Sequence, residues 1–444
     1  MGIRRTARPT IRGNVDQWSP RLVGWAYDPE SPDVPLQLSL FVDDVELTRL
    51  IASDARNDVV RAGYEALNCG FSFEIGAELD DARSIRIVEA SSKKELFATP
   101  SDFRFRPVTP RARPSDVGIG SIKAEFGNKD SLMHAVRASG SLAFVSSYRN
   151  ALESEGSIRW LVASLQAQGI AVVVIDASEV QPTDSFGAQA LLWRKNAGFD
   201  FSSWSTAFET YGDVVASSEC LYLLNDSCIG PVNGFGELLA KGRSLGVDVW
   251  SCTDSWNHGY HLQSYFLAFD MNADARGAVE RFFASYSNPL AKPDVIVEGE
   301  LALSRRLLGE GLALAAAYPY SSLVERFVAS FELNIARKMN DPGVRALREV
   351  NQTYLPQDVV AMTEVFDAIR AGHPVNPTHA FWRQLLDDGF PLVKRDLLSR
   401  DPLGMNDHEE IFATLSKLCA QDLLEVVRDD LKRRDGNRVQ YLGV

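Results

Sequence analysis

The sequence predicts an α/β protein in three parts: a β-sandwich over residues 1–108, an α/β domain over residues 139–320 behind a linker at 109–138, and a helical region over 321–444. Three observations predict it. Short strand-like runs separated by turn residues fill the first hundred residues. From residue 140 a strand-helix-strand order sets in, with strands that are apolar throughout. Beyond residue 320 the apolar positions recur at helical spacing.

In the first part, "LVGWAYDP", "LQLSLFVDDVEL", "GFSFEI", "SIRIVEA" and "ELFATP" read as strands that close into a small sandwich. The stretch "FRFRPVTPRARPSD", residues 103–116, carries three prolines and four arginines and suits a linker. In the second part, "SLAFVSSY" is a strand, "SIRWLVASLQAQG" an amphipathic helix closed by glycine, and "IAVVVIDAS" a second strand. Continuous apolarity is what a strand covered on both faces of a parallel sheet requires. "CLYLLNDS" and "VDVWSCTDS" supply further strands. The third part holds periodic helical segments such as "SLVERFVASFELNIARKM" and "PQDVVAMTEVFDAIRAG".

Composition narrows the function. Hydrophobic residues make up 45% of the 444 and charged residues 24%, the balance of a soluble globular protein. A net charge of −13 argues against a general nucleic-acid binder and obliges any anionic ligand to meet local cations. The five cysteines (Cys69, Cys220, Cys228, Cys252, Cys419) are scattered, without zinc-site or disulfide-framework spacing. The start, "MGIRRTARPTIRG", lacks the apolar stretch of a signal peptide. The longest near-apolar run, "GLALAAAYPY", is far short of the roughly 18 residues that span a bilayer. A cytoplasmic protein is expected. Arg4, Arg5, Arg8 and Arg12 offer either contact with the inner face of the plasma membrane or a solvated basic tail.

Three of the strands end in polar residues: Asp176 with Ser178, then Asn225-Asp226-Ser227, then Thr253-Asp254-Ser255. Ligands of open parallel sheets bind at the carboxyl ends of strands, so these groups, with Ser146 and Tyr148 at the end of the first strand, are expected to line one cleft. A carboxylate there, Asp226, can hold a divalent metal (Mg or Mn) through oxygen ligands, and the metal would neutralise a nucleotide diphosphate. Asn, Asp and Ser ahead of Gly230-Pro231 suit a plain turn equally well.

The order "WRKNAGFDF", helix, "CLYLLNDS" resembles sugar-nucleotide glycosyltransferases of the GT-A fold, particularly family-2-like rhamnosyltransferases. Their Asn-x-Gly and Asp-x-Asp landmarks are matched by Asn196-Ala197-Gly198 and Asn225-Asp226-Ser227, and the resemblance implies that Asp176 contacts the donor base. The blocks "LYLLNDSCIGP", "VDVWSCTDS", "HLQSYFLAF", "VIVEGELALSRRLLGEG" and "NPTHAFWRQLLDDGFPLVKRDLL" resemble, in order, those of the rhamnan synthesis protein F family, over about residues 140–400. The first hundred residues are similar to a small β domain attached to bacterial surface-polysaccharide enzymes, through "GWAYDP", "VDDVEL", "ARNDV" and "GFSFEI". The resemblance implies a GT-A-like, Rossmann-type catalytic domain that moves a sugar, most often L-rhamnose from dTDP-rhamnose, onto a polysaccharide or lipid-linked oligosaccharide. Asn225 and Ser227 stand where a DxD motif has its acids, so cationic side chains are the alternative to a metal; Arg194, Lys195, Arg305, Arg306, Lys394 and Arg395 are the candidates.

Inverting glycosyl transfer needs a carboxylate to take the acceptor hydroxyl's proton. Glu300 and Glu298, at an expected strand-to-helix corner in "VEGEL", and Asp254 are the candidates, each with a capping role as its alternative. His261, Gln263 and Tyr265, in "HGYHLQSYF" with His258, are candidate acceptor-sugar contacts. No P-loop, HExxH or GxSxG motif is present. A non-catalytic glycan-binding or scaffolding component of polysaccharide assembly is the competing reading.

Overall fold

The structure, a computed structural model, describes residues 11–18, 21–43, 45–56, 59–60, 63–74, 84–99, 112–149, 155–257, 259–399, 401–405 and 407–434. Arg4, Arg5, Arg8, His258 and most of the 103–116 stretch lie outside them. The chain divides into two compact units, Met1–Pro110 and Arg111–Val444.

The first unit is built of strands β1 (Arg12–Gln17), β2 (Arg21–Tyr27), β3 (Leu36–Val42), β4 (Val45–Ala52), β5 (Asp54–Ala55), β6 (Asn68–Glu74), β7 (Ile85–Glu89) and β8 (Glu95–Ala98). They form two antiparallel sheets, ordered β1-β2-β6-β5 and β4-β3-β7-β8. Leu22, Ala26 and Phe71 from the first sheet meet Leu38, Leu40, Ile85 and Ile87 from the second in one core. Alternate residues of a strand face opposite sides, so each sheet buries one face against the other.

The second unit opens with β9 (Ile122–Gly127), which pairs antiparallel with β12 (Ala190–Arg194). A helix, Lys129–Ser139, follows. Its start is capped by Asn128, whose side-chain oxygen accepts from the amides of Asp130 and Ser131 at 2.8 and 3.4 Å. The linker expected over 109–138 is therefore corrected: from residue 122 it is an edge strand and a capped helix. The alternating, half-buried "IKAEFG" is polar on one face because an edge strand is solvated there.

The unit's main sheet adds β10 (Ser141–Ser147), β11 (Ala171–Asp176), β13 (Cys220–Asn225), β15 (Val249–Ser255), β16 (His261–Leu262), β17 (Phe266–Asp270) and β18 (Leu314–Tyr318). Its order is β16-β15-β17-β13-β10-β11-β12-β9, with β18 beside β15. Strand β10 runs parallel to both β11 and β13, β11 parallel to β12, and β17 antiparallel to β13 and β15. Helix Gly156–Gln166 makes the crossover from β10 to β11. A two-stranded ladder of β14 (Cys228–Ile229) and β19 (Val393–Lys394) completes the strands.

The helical region is not a separate body. Leu323 and Phe327 of helix Tyr320–Met339, with Phe381 and Phe390, share one hydrophobic cluster with Val145 and Val174 of the sheet. Residue 320 marks where strands give way to helices, not where one core ends. The corner expected at "VEGEL" is also corrected: Lys292–Val295, Ile296–Leu301 and Ala302–Gly309 are helical in succession, with a π-helical turn in the middle. Among the described residues no helix is long and apolar enough to cross a membrane.

Candidate functional site at the strand switch point

Chain order turns around at β10: the next two strands in sequence add on one side, and β13 on the other. Helices Gly156–Gln166 and Phe199–Ala216 pack into different hydrophobic clusters, and in open α/β sheets the ligand place at such a switch lies at the carboxyl ends of the flanking strands, here β10 and β13. Asp226 stands there. Its carboxylate accepts from Ser147 Oγ at 3.1 Å and from the Tyr148 amide at 3.0 Å, both at the end of β10. Its own amide donates to the Ser146 carbonyl at 3.2 Å. Asp226 thus stitches the two strands across the switch.

A second carboxylate, which sequence reasoning missed, lies beside it. Asp200 sits in the first turn of helix Phe199–Ala216, where the helix dipole favours an anion. The chain enters that helix at Gly198 with φ 76°, and a Cβ there would fall 1.9 Å from Ser202 Oγ, so only glycine fits. Asp200 accepts from Ser146 Oγ at 3.1 Å and from Asn225 Nδ2 at 2.9 Å. Burial, and then the neighbouring Asp226 charge, push its pKa up to about 6. The signal was present in "NAGFD", but its partners are 54 and 25 residues away in sequence.

Cations close the third side. The β14–β19 ladder brings Lys394 Nζ to 2.8 Å from Ser227 Oγ and 5.2 Å from the centre of the Tyr265 ring. Arg395 donates from its backbone to the Ser227 carbonyl at 3.0 Å and from Nε to the Asp226 carbonyl. The other cations do different work. Arg194 is fully buried and donates to Ser121 Oγ, Ser203 Oγ and the carbonyls of Asp116 and Ala197; burial pushes its pKa down to about 10. Lys195 pairs with Asp116 at 2.8 Å and Arg306 with Glu310 at 3.1 Å. Arg305 is exposed beside the turn at Gly259.

Asp176 is fully buried at the end of β11. It accepts from Ser178 and, at 3.2 Å, from Arg149 Nη2, and burial raises its pKa above the usual range. Its visible role is to hold Arg149, whose guanidinium lies 4.7 Å from the Phe186 ring centre. Tyr148 is partly exposed and donates its hydroxyl to Glu179 at 3.1 Å; Asn196 is exposed in the turn before the Asp200 helix.

The acceptor-side and base candidates gather around β15 and β16. Glu300 accepts from Ser264, and its other oxygen faces His261 Nε2 at 3.8 Å. The His261 Nδ1 lies 3.0 Å from the Gly259 carbonyl. Tyr265 is buried, its hydroxyl 2.7 Å from Thr253 Oγ1, which also meets Gln263 Oε1 at 2.7 Å. Burial raises the Tyr265 phenol well above its ordinary range. Asp254 accepts from the Tyr320 amide at 2.6 Å and so satisfies, from a distant strand, the first amide of helix Tyr320–Met339, whose own N-cap residue Pro319 offers no side-chain oxygen. Glu298 accepts from Ser287 Oγ. The Asn225 amide donates to the Tyr265 carbonyl at 3.4 Å, and with the Lys394–Tyr265 contact this joins the two groups into one rim.

The donor set fits a hard divalent cation only in part. Asp200, Asp226 and Asn225 are oxygen ligands of the kind Mg²⁺ takes. Among the described residues no group of three or more His, Cys, Asp or Glu could hold a metal ion. Such an ion would therefore have to draw its remaining ligands from substrate and water.

Virulence protein VirA of Vibrio anguillarum is 29% identical over 216 residues, 48% of this chain and 62% of VirA. Protein y4gN of Sinorhizobium fredii is 21% identical over 198 residues, 43% of this chain and 51% of y4gN. The chain thus spans less than two thirds of either relative. The family model of rhamnan synthesis protein F matches residues 173–340, from the middle of β11 to just past the long helix, Asp200 and Asn225-Asp226-Ser227 included. That segment of the chain is accordingly similar to proteins of polysaccharide synthesis, in the rhamnan synthesis protein F family.

Proposed function

We propose that residues 111–444 form a GT-A-like glycosyltransferase that binds a nucleotide-diphosphate sugar across the ends of β10, β11 and β13. The donor is L-rhamnose on dTDP, the acceptor a growing bacterial surface polysaccharide or its lipid-linked precursor, and the site faces the cytoplasm. One observation carries the reading: Asp226 joins β10 to β13 at the point where strand order reverses, beside Asp200 and under Lys394. The order β12-β11-β10-β13 followed by antiparallel β17 supports the GT-A assignment.

The residues divide the work. Lys394 supplies a point charge to the diphosphate, and Arg395 fixes the loop that presents it. Asp226 and Asn225 orient the donor sugar or ribose. A divalent ion, where bound, would be held by Asp226 with Asp200 and would help to neutralise the leaving diphosphate. Glu300, steadied by Ser264, takes the proton of the acceptor hydroxyl as the anomeric carbon is attacked from the opposite side, inverting it. His261, Gln263 and Tyr265 shape the acceptor end. Asp254, already bound to the first amide of helix Tyr320–Met339, ranks behind Glu300 as base.

The test is sugar transfer from dTDP-rhamnose by the purified chain, with donor hydrolysis measured in parallel. Transfer or donor cleavage abolished in Asp226→Asn supports the reading. Absence of both from the wild type, together with binding to glycan, would favour the scaffolding alternative.

A further inference from the structure

A groove of about 450 Å³ opens between helices Tyr320–Met339, Trp382–Asp387 and His408–Leu418. Its size falls within the range of small-molecule sites, about 300–1,000 Å³. One wall is a single face of the long helix: Arg326, Ser330, Asn334 and Arg337 follow at intervals of three or four residues. The floor is stiff. Arg383 forks onto both oxygens of Glu410 at 2.7 and 2.6 Å and reaches Asp407 at 2.7 Å. Arg326 pairs with Asp388 at 2.5 Å and donates to the Gln384 carbonyl at 2.8 Å.

These pairs neutralise two of the three lining arginines. The side chains of Arg337 and Asp387 are exposed and form no hydrogen bond or ion pair among the described residues. A ligand thus meets the Arg337 guanidinium, the carboxylates of Asp387 and of Glu410, which Arg383 pairs, and the oxygens of Asn334 and Thr414, whose donors are turned to Ser330 Oγ and the Glu410 carbonyl. The arginines Arg326, Arg337 and Arg383 are matched by Asp387, Asp388, Asp407 and Glu410, so the groove carries donors and acceptors without a strong field of either sign. Leu333, 63% exposed, adds an apolar patch. An anion would meet Asp387 and Glu410, and a cation the arginines. A neutral ligand with paired hydroxyls and C–H faces meets complementary groups throughout.

We propose that this groove is a subsite for a neutral oligosaccharide, the already assembled part of the acceptor glycan, distinct from the place where the new sugar is added. Its identity as acceptor rests on the glycosyltransferase reading above. The helix that forms its second wall, Trp382–Asp387, is followed in the chain by Val393–Lys394, the strand that carries the donor-side lysine.

Rhamnose oligosaccharides of two to six sugars, titrated into the full chain and followed by ligand-observed NMR, provide the test, with dTDP binding measured on the same samples. Affinity should rise with length. The doubly substituted Arg337→Ala, Asp387→Ala chain should lose at least about tenfold in oligosaccharide affinity, and Asn334→Ala should lose a smaller factor. dTDP affinity and melting temperature should stay unchanged. Absence of oligosaccharide binding by the wild type, equal binding by the double variant, or tighter binding of a sulfated oligosaccharide would overturn the proposal. A chain that binds oligosaccharide through these residues yet binds no dTDP would keep the subsite and overturn the glycosyltransferase reading instead.

Discussion

Both hydrogen bonds to the Asp226 side chain, from Ser147 Oγ and from the Tyr148 amide, fall on one carboxylate oxygen, so an amide oxygen in its place can accept both and only the charge is lost. Asp226→Asn retains one oxygen and the turn-forming side chain. It should leave the melting temperature nearly unchanged and lower transfer by orders of magnitude; full turnover would leave Asp226 as a turn former only. Glu300→Gln should lower turnover by roughly 10²–10⁴-fold while donor affinity persists, the mark of a lost base. His379 gives a pH test of the fold around Lys394. Burial, and then the Lys394 charge, push its pKa from 6.5 down to about 4, and Nε2 is buried with no hydrogen-bond partner among the described residues. As pH falls from 6.5 to 4 the unfolded chain takes up a proton that the folded chain refuses. Stability present above pH 6.5 is therefore lost across that window, by about 3 kcal/mol. In urea unfolding, His379→Gln should show a shallower loss between pH 7 and pH 4 than the wild type; parallel curves would contradict the burial argument. At this scale the sequence revealed Asp226, because a polar residue ending an apolar strand is a local signal. It hid Asp200, whose environment is made by Ser146 and Asn225, and Arg194, which looks like a surface cation until Ser121 and Ser203 are folded around it.

The buried strands were legible because parallel strands covered on both faces carry continuous apolar runs, as "LAFV", "AVVVI" and "CLYLL" of β10, β11 and β13 are before their polar carboxyl ends. Two elements escaped for physical reasons. The edge strand β9 is half-polar and follows a proline-rich stretch. The π-helical turn carrying Glu298 and Glu300 has the same local residues as a helix start after a strand, and only packing decides between them. Packing of helix Gly236–Ser244 on β15 depends on Gly242, where a Cβ would fall 2.3 Å from the Trp250 ring. Gly242→Ala should cost about 1–3 kcal/mol in denaturant unfolding through overpacking. Stability equal to the wild type would mean that the helix can shift away without loss.

Over the whole molecule, the two units have cores of their own, and the expected three-part division differs from them where helices and sheet share one cluster and where the expected linker holds a strand and a helix. Residues 111–444 should therefore fold and bind nucleotide without 1–110. The cut belongs at 110 and not later, because the Ala112 amide donates to the Asn288 carbonyl at 3.1 Å and Asp116 holds Lys195. An insoluble or nucleotide-blind fragment would assign the first unit a part in the site. The central claim, a nucleotide diphosphate held across the strand switch under Lys394, is tested most directly by calorimetric titration of dTDP and dTMP into the wild type and Lys394→Gln. The account predicts one dTDP site per chain and a loss of about tenfold or more for dTDP in the variant, the scale of a charged hydrogen bond, with dTMP affected far less. Equal dTDP affinity in the two proteins, or no dTDP binding by the wild type, would contradict it.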